Sequence, residues 1–337
     1  MVTIAVDAMG GDNAPVSILE GCLSAMSEVQ DLHIILAGPQ SALQKLIENR
    51  NYDRARISFL DAQEVITAQE SPTQAVRQKK QSSLVVAMDA VKSGAADAVV
   101  SAGPTGAVLT AAIVRIGRIK GVLRPALSPL MPTYKGGSVL LIDCGANVDC
   151  KPEYIAQFGL MGSAYMRAVV GIENPKVSLL NIGTEAGKGN DLTQKAYVLM
   201  QKAPYNFVGN MEARDALTGD SDVIACDGFD GNILLKSIEG TAGLLFRMIR
   251  DAITTGTRNK IGALLIKDGL KALKEKMDYE KTGGAPLLGV NGVVIKAHGN
   301  ATAAAFEAAI EQAANAVRGG LVGLIRDTLG DMKGQEE

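Results

Sequence analysis

The chain has 337 residues, enough for one large or two smaller domains at roughly 150 residues each. Hydrophobic residues make up 47% and charged residues 21%, which excludes a disordered chain. The 34 basic residues nearly balance 36 acidic ones, for a net charge of −2, which excludes a generally basic nucleic-acid coat protein.

Short aliphatic runs recur along the chain, each closed by a Gly-, Asp- or Asn-rich turn and most followed by a helical pattern. In order they predict a strand at Thr3–Val6, a helix at Ser17–Glu28, strands at His33–Leu36 and Ile57–Leu60, and a helix at Thr73–Lys92. A strand at Ala98–Val100 leads into a helix at Thr105–Ile116, and a strand at Val139–Ile142 into one at Glu153–Val170. A strand at Val177–Leu180, a helix at Asp191–Lys202, strands at Asp222–Ala225 and Val293–Lys296, and a helix at Thr302–Ile325 complete the pattern. Runs without polar alternation fit strands covered on both faces. The alternation predicts a three-layer α/β/α sandwich with a mostly parallel, Rossmann-like sheet, as a single domain over residues 1–330 with a polar tail at 331–337.

From Leu244 to Lys276 this rhythm breaks, and eight basic residues face three acidic ones. Leu245, Met248, Ile249, Ala252 and Ile253 recur at helical spacing, as do Ile266, Leu270, Leu273 and Met277. A basic amphipathic helical insertion at about 241–280 is expected. It suits an anionic membrane surface, through Leu270, Leu273, Lys267 and Lys271, or a helical pair packed on a partner subunit.

The opening Val2-Thr3-Ile4-Ala5-Val6 lacks the basic stretch of a signal peptide, and Cys22, Cys144, Cys150 and Cys226 form no C-x-x-C pair. A reduced, cytoplasmic setting is expected. With only His33 and His298, no histidine-rich metal site is expected either.

In a doubly wound fold, ligands bind beyond the carboxyl ends of the strands. The first exit, Asp7 to Pro15, pairs Gly10 with Gly11 and carries Asp7 and Asp12, suited to an anion or to a tight turn with an Asp cap. The exit Ser101-Ala102-Gly103-Pro104-Thr105-Gly106 offers an oxyanion cradle or a plain helix cap. Cys144 has no nearby cation to lower its pKa and reads as inert, as does Cys226. In the exit from Asn181 to Asp191, Lys188 stands between Gly187 and Gly189 and can meet a phosphate beside Thr184, or it is a surface lysine in a turn. After Asp227, Asn232 is either an amide donor or an N-cap. His298 closes the series at another strand exit, where it is catalytic or merely structural.

Taken together, AVDAMGGDNAP (5–15), SAGPTGA (101–107), LLNIGTEAGKGN (179–190), CDGFDGN (226–232) and VIKAHGN (294–300) resemble, in that order, the bacterial phosphate acyltransferases of phospholipid synthesis. The likeness runs from residue 1 to about 328, with Pro104 and Asp230 departing from the family's pattern. It implies a fold similar to phosphotransacetylases and isocitrate-type dehydrogenases. The implied activity moves a fatty acyl group from acyl carrier protein to inorganic phosphate, giving acyl phosphate for glycerol-3-phosphate acylation. A homodimer is implied as well. From the residues themselves, the basic insertion predicts peripheral contact with the membrane and its acyltransferase, and with no metal-ligand cluster, nucleotide loop or basic excess, no cofactor, metal or nucleic acid is expected.

Phosphate is already ionised near neutral pH and a thiol leaves readily, so the enzyme must mainly supply positive charge and preorganised donors. Lys188 is accordingly assigned to phosphate and oxyanion charge, Asn232 to donation, and His298 to proton handling or binding. Asp7, Gly10, Gly11, Asp12, Ser101, Gly103, Thr105, Gly106, Thr184 and Asp227 would shape the phosphate and thioester pocket. A β-decarboxylating nicotinamide-dependent dehydrogenase would need an arginine cluster and metal-binding aspartates, and neither assembles. A non-catalytic carrier-protein scaffold would not need Gly, Lys, Asn and His gathered at strand exits.

Overall fold

Eight aliphatic runs become strands because they hide on both faces, and four further strands flank them. The computed structural model describes residues 1–276 and 283–333. The strands are β1 (Val2–Asp7), β2 (Leu32–Gly38), β3 (Ile57–Asp61), β4 (Ala98–Ser101), β5 (Ala126–Leu127) and β6 (Leu130–Pro132). They continue with β7 (Ser138–Ile142), β8 (Lys176–Asn181), β9 (Asn206–Glu212), β10 (Val223–Ala225), β11 (Ala285–Leu288) and β12 (Val293–Lys296).

They form two sheets rather than one. The first has the order β3-β2-β1-β4-β12-β11-β5 and is parallel except for β11, which runs antiparallel to β12 and β5. The second has the order β6-β7-β10-β8-β9, with only β6 antiparallel to its neighbour. The chain first crosses between them at Ser128-Pro129, from β5 to β6. One continuous core nevertheless joins both: Ile4 and Leu36 from the first sheet belong to the same buried cluster as Leu140 and Val177 from the second. Phe158, Tyr165 and Phe306, from the helices Pro152–Tyr165 and Ala303–Arg318, fill the space between.

The predicted helix Thr73–Lys92 is two helices, Pro72–Gln78 and Ser83–Lys92, because Lys79 leaves helical geometry and the Ser82 hydroxyl caps the second through Val85 N–H. Likewise Thr302–Ile325 is broken at Gly319-Gly320 into Ala303–Arg318 and Leu321–Lys333. The latter helix occupies 331–333 of the expected tail; 334–337 lie outside the described residues.

The basic insertion holds three helical segments rather than a pair, namely Gly228–Thr254, Thr257–Leu265 and Lys267–Lys276. Leu245, Met248, Ile261, Leu264, Leu265 and Leu273 are exposed, as are Lys267 and Lys271, while Leu270 is half-buried. Met277 lies outside the described residues. Among those described, no helix is long and apolar enough to cross a membrane.

Phe306 is fully buried in the common core, on the helix that packs against β1, β4 and β12. Phe306→Ala should cost about 3–5 kcal/mol of stability. Chemical denaturation should show a lower midpoint, and an unshifted midpoint would contradict this packing.

Candidate active site

Because β1, β4 and β12 are adjacent and parallel, their last residues, Asp7, Ser101 and Lys296, stand side by side. Asp7 and Ser101 are buried, and the Ser101 hydroxyl donates to Asp7 Oδ2 at 2.7 Å while accepting from Gly103 N–H at 3.0 Å. Among the described residues Asp7 Oδ1 has no hydrogen-bond partner, and burial pushes the carboxyl up from its ordinary value. These two residues hold the loops from beneath and do not line the cavity above them.

The three exit loops interlock. Asp12 N–H donates to Gly299 O at 2.7 Å, and the Asn13 amide donates to Asn300 O at 2.9 Å. Gly11 sits between them at φ +102°, where a Cβ would come within 2.8 Å of Ala102 Cβ and 2.9 Å of Gly299 O.

The opposite side is built on Asp143, just after β7. Its buried carboxylate accepts from Leu127 N–H at 2.9 Å, Ala146 N–H at 3.2 Å, Asn147 N–H at 2.6 Å and the Asn147 amide at 2.9 Å. Burial pushes this carboxyl up, and the four donors oppose that shift. Gly228 N–H donates to Asn147 O at 2.8 Å, which seats the start of helix Gly228–Thr254 on the same loop. A Cβ on Gly231 would lie 1.9 Å from Asp143 O, so only glycine permits this approach.

The cap of that helix is Asp227, whose carboxylate accepts from Asp230 N–H at 2.8 Å. Asn232 is thereby free of capping; it packs beside Gly145, and both line the cavity. Lys236 and Glu239 follow on the helix, paired at 2.7 Å. Cys144 and Cys226 are buried with their thiols pushed up by burial, as inert cysteines should be.

Between the two sheets lies a cavity of about 740 Å³. Its polar part gathers Gly11, Asp12, Gly103, Thr105, Asn232, Lys236, Lys296 and His298. Its apolar part is made by Leu130, Met131, Leu217, Leu235 and Ile238. His298 Nδ1 hydrogen-bonds Asn300 Oδ1, which leaves Nε2 as the free ring nitrogen.

Of the residues singled out from sequence, Gly11, Asp12, Gly103, Thr105, Asn232 and His298 meet here. Gly10 packs on Asp7 and Gly106 on Pro72, outside the lining. Lys188 and Thr184 do not reach the cavity: they are exposed on the loop after β8, separated from β7 by β10. Lys296 was not among the sequence candidates, although a lysine closing the otherwise apolar Val293-Val294-Ile295 was a visible signal. Among the described residues, no group of three or more His, Cys, Asp and Glu side chains is placed to hold a metal ion.

The family model described as a fatty acid synthesis protein matches residues 2–323. The chain is also 50% identical over 310 residues to a phosphate acyltransferase of Clostridium acetobutylicum, covering 92% of this chain and 93% of that one. The chain belongs to the phosphate acyltransferase family.

Solved structures share the family's fold. A phosphotransacetylase from Streptococcus pyogenes superposes with a TM-score of 0.65 at 16% identity, covering 94% of both chains. A 4-hydroxythreonine-4-phosphate dehydrogenase from Klebsiella pneumoniae gives 0.53 at 12% identity, covering 94% of this chain and 99% of that one.

Gly11→Ala would force a Cβ into the junction of three loops at a left-handed φ. We expect it to lose about 1–3 kcal/mol of stability and most of the turnover. Thermal unfolding and a turnover assay check this; a variant with wild-type values for both would show that the loops do not need the interlock.

Proposed function

We propose that this phosphate acyltransferase takes a fatty acyl group from an acyl carrier protein thioester and delivers it to inorganic phosphate. The observation that carries this reading is one cavity lined both by charged and amide groups, among them Asp12, Asn232, Lys296 and His298, and by the apolar side chains of Leu130, Met131, Leu235 and Ile238. A phosphate and a greasy chain need such unlike surroundings within one enclosure.

In the reaction, a phosphate oxygen attacks the thioester carbonyl carbon. The tetrahedral adduct collapses as the C–S bond breaks, the carrier thiolate leaves and picks up a proton, and acyl phosphate remains. Negative charge gathers on the carbonyl oxygen in the transition state, where a preorganised neutral donor stabilises it. Asn232, freed from capping by Asp227, is such a donor. With Nδ1–H donating to Asn300, His298 Nε2 is a base that can take the proton of the attacking hydrogen phosphate and pass it on to the departing sulfur. Lys188 enters this chemistry only if its exposed loop folds onto the cavity or reaches that of a second copy in a homodimer.

The product is a reactive mixed anhydride with an apolar tail, suited to direct use in glycerol-3-phosphate acylation at a membrane. The exposed leucines and lysines of segments Thr257–Leu265 and Lys267–Lys276 form a surface for that encounter. A scaffold that only docked the carrier would have no use for two lysines and an amide inside a cavity.

With acyl carrier thioester and phosphate, hydroxylamine should trap an acyl hydroxamate, and Asn232→Ala should lower turnover by roughly 10²–10³. A variant turning over at the wild-type rate removes Asn232 from the mechanism. Sedimentation with vesicles tests the surface: wild type should pellet with anionic lipid, and Leu265→Glu should pellet less. Equal partition of both would leave the apolar stripe to a dimer contact.

A further inference from the structure

β12 is apolar through Ile295 and ends in Lys296, which is 8% exposed and lines the cavity. The ammonium gives one N–H to Ala297 O, and two of its three donors remain. Asp7 and Asp12 act on it through space, and no ion pair joins it to a described carboxylate. A cation so enclosed and unpaired is costly unless an anion completes it.

The other lysines are less suited to that task. The Lys236 side chain is 55% exposed and already paired with Glu239 at 2.7 Å. Lys188 is exposed and outside the cavity.

We propose that Lys296 is the phosphate-binding catalytic residue, its two remaining ammonium donors holding oxygens of the attacking phosphate where the exit loops of β1, β4 and β12 meet. This assignment rests on the acyl-transfer reading. Lys296 carries no covalent step: it neutralises the nucleophile's charge as that nucleophile nears the carbonyl, and Asn232 takes the developing oxyanion.

The charged and titratable groups around it are Asp7 and Asp12 from β1 and its exit, Lys236 with Glu239 from the long helix, and His298 from its own loop. Burial lowers the amine from 10.5 to about 8, against the pull of the two aspartates. The cation is therefore present below pH 8 and lost above it, so kcat/KM for phosphate should fall on the alkaline side of that value.

The test measures phosphate saturation of thiol release for wild type, Lys296→Met and Lys296→Arg across pH. Lys296→Met should lower kcat/KM for phosphate by roughly 10²–10³ and abolish the alkaline limb. Lys296→Arg should recover part of the loss and move the limb upward, since guanidinium stays charged. Should the buried methionine prevent folding, wild-type protein supplies the second measurement. Acetic anhydride labelling read by mass spectrometry should be slowed at Lys296 by inorganic phosphate, with exposed Lys92 as reference. Unchanged phosphate saturation in Lys296→Met, or labelling of Lys296 indifferent to phosphate, would overturn the proposal. Phosphate protection in a wild type that forms no acyl phosphate would instead sink the acyl-transfer reading while supporting the anion site.

Discussion

The parallel register of β1, β4 and β12 is the constraint on which the site depends. Three neighbouring strands end at one level, so their exit loops are forced together and must find hydrogen bonds among themselves. The Asp7–Ser101–Gly103 chain and the Asp12–Gly299 bond are how they do so. Asp7 and Ser101, spent on that task, do not line the cavity. What remains for ligand is the layer above, where Gly11, Gly103 and Lys296 surface.

The second sheet contributes by a different device. Asp143 gathers four donors from the β5 strand and the loop after β7, and Gly228 N–H joins the same loop. A buried carboxylate so satisfied fixes a helix start against a strand exit, and the helix then presents Asn232, Leu235, Lys236 and Ile238 inward. The polar and apolar parts of the cavity thus come largely from two sheets packed on a common core.

Much of this was legible in the chain. Uninterrupted aliphatic runs cannot be solvated on either face, so the eight principal strands stood out. β5, β6 and β11 did not, being two to four residues long, with Pro132 in β6 and Pro286 in β11. β9 was hidden by polar residues and Gly209. Asn232 and His298 were found because a strand exit is a sequence feature. Lys188 was picked for its glycine neighbours, yet its strand lies beyond β10 from β7, and strand order is not written in local sequence. In the sequence Lys296 reads as no more than the end of a strand, and only its burial and its place in the lining show that this end faces the cavity.

Helix Gly228–Thr254 runs unbroken for 27 residues. Asn232 in its second turn lines the cavity, while Met248 is exposed near its far end, about 24 Å away at 1.5 Å per residue. A helix without an internal break transmits tilt and axial shift along its length. Leu244, Leu245 and Met248 at the surface and Asn232 at the cavity therefore ride on one rigid element, so that a tilt of the outer end is also a tilt of the cavity wall.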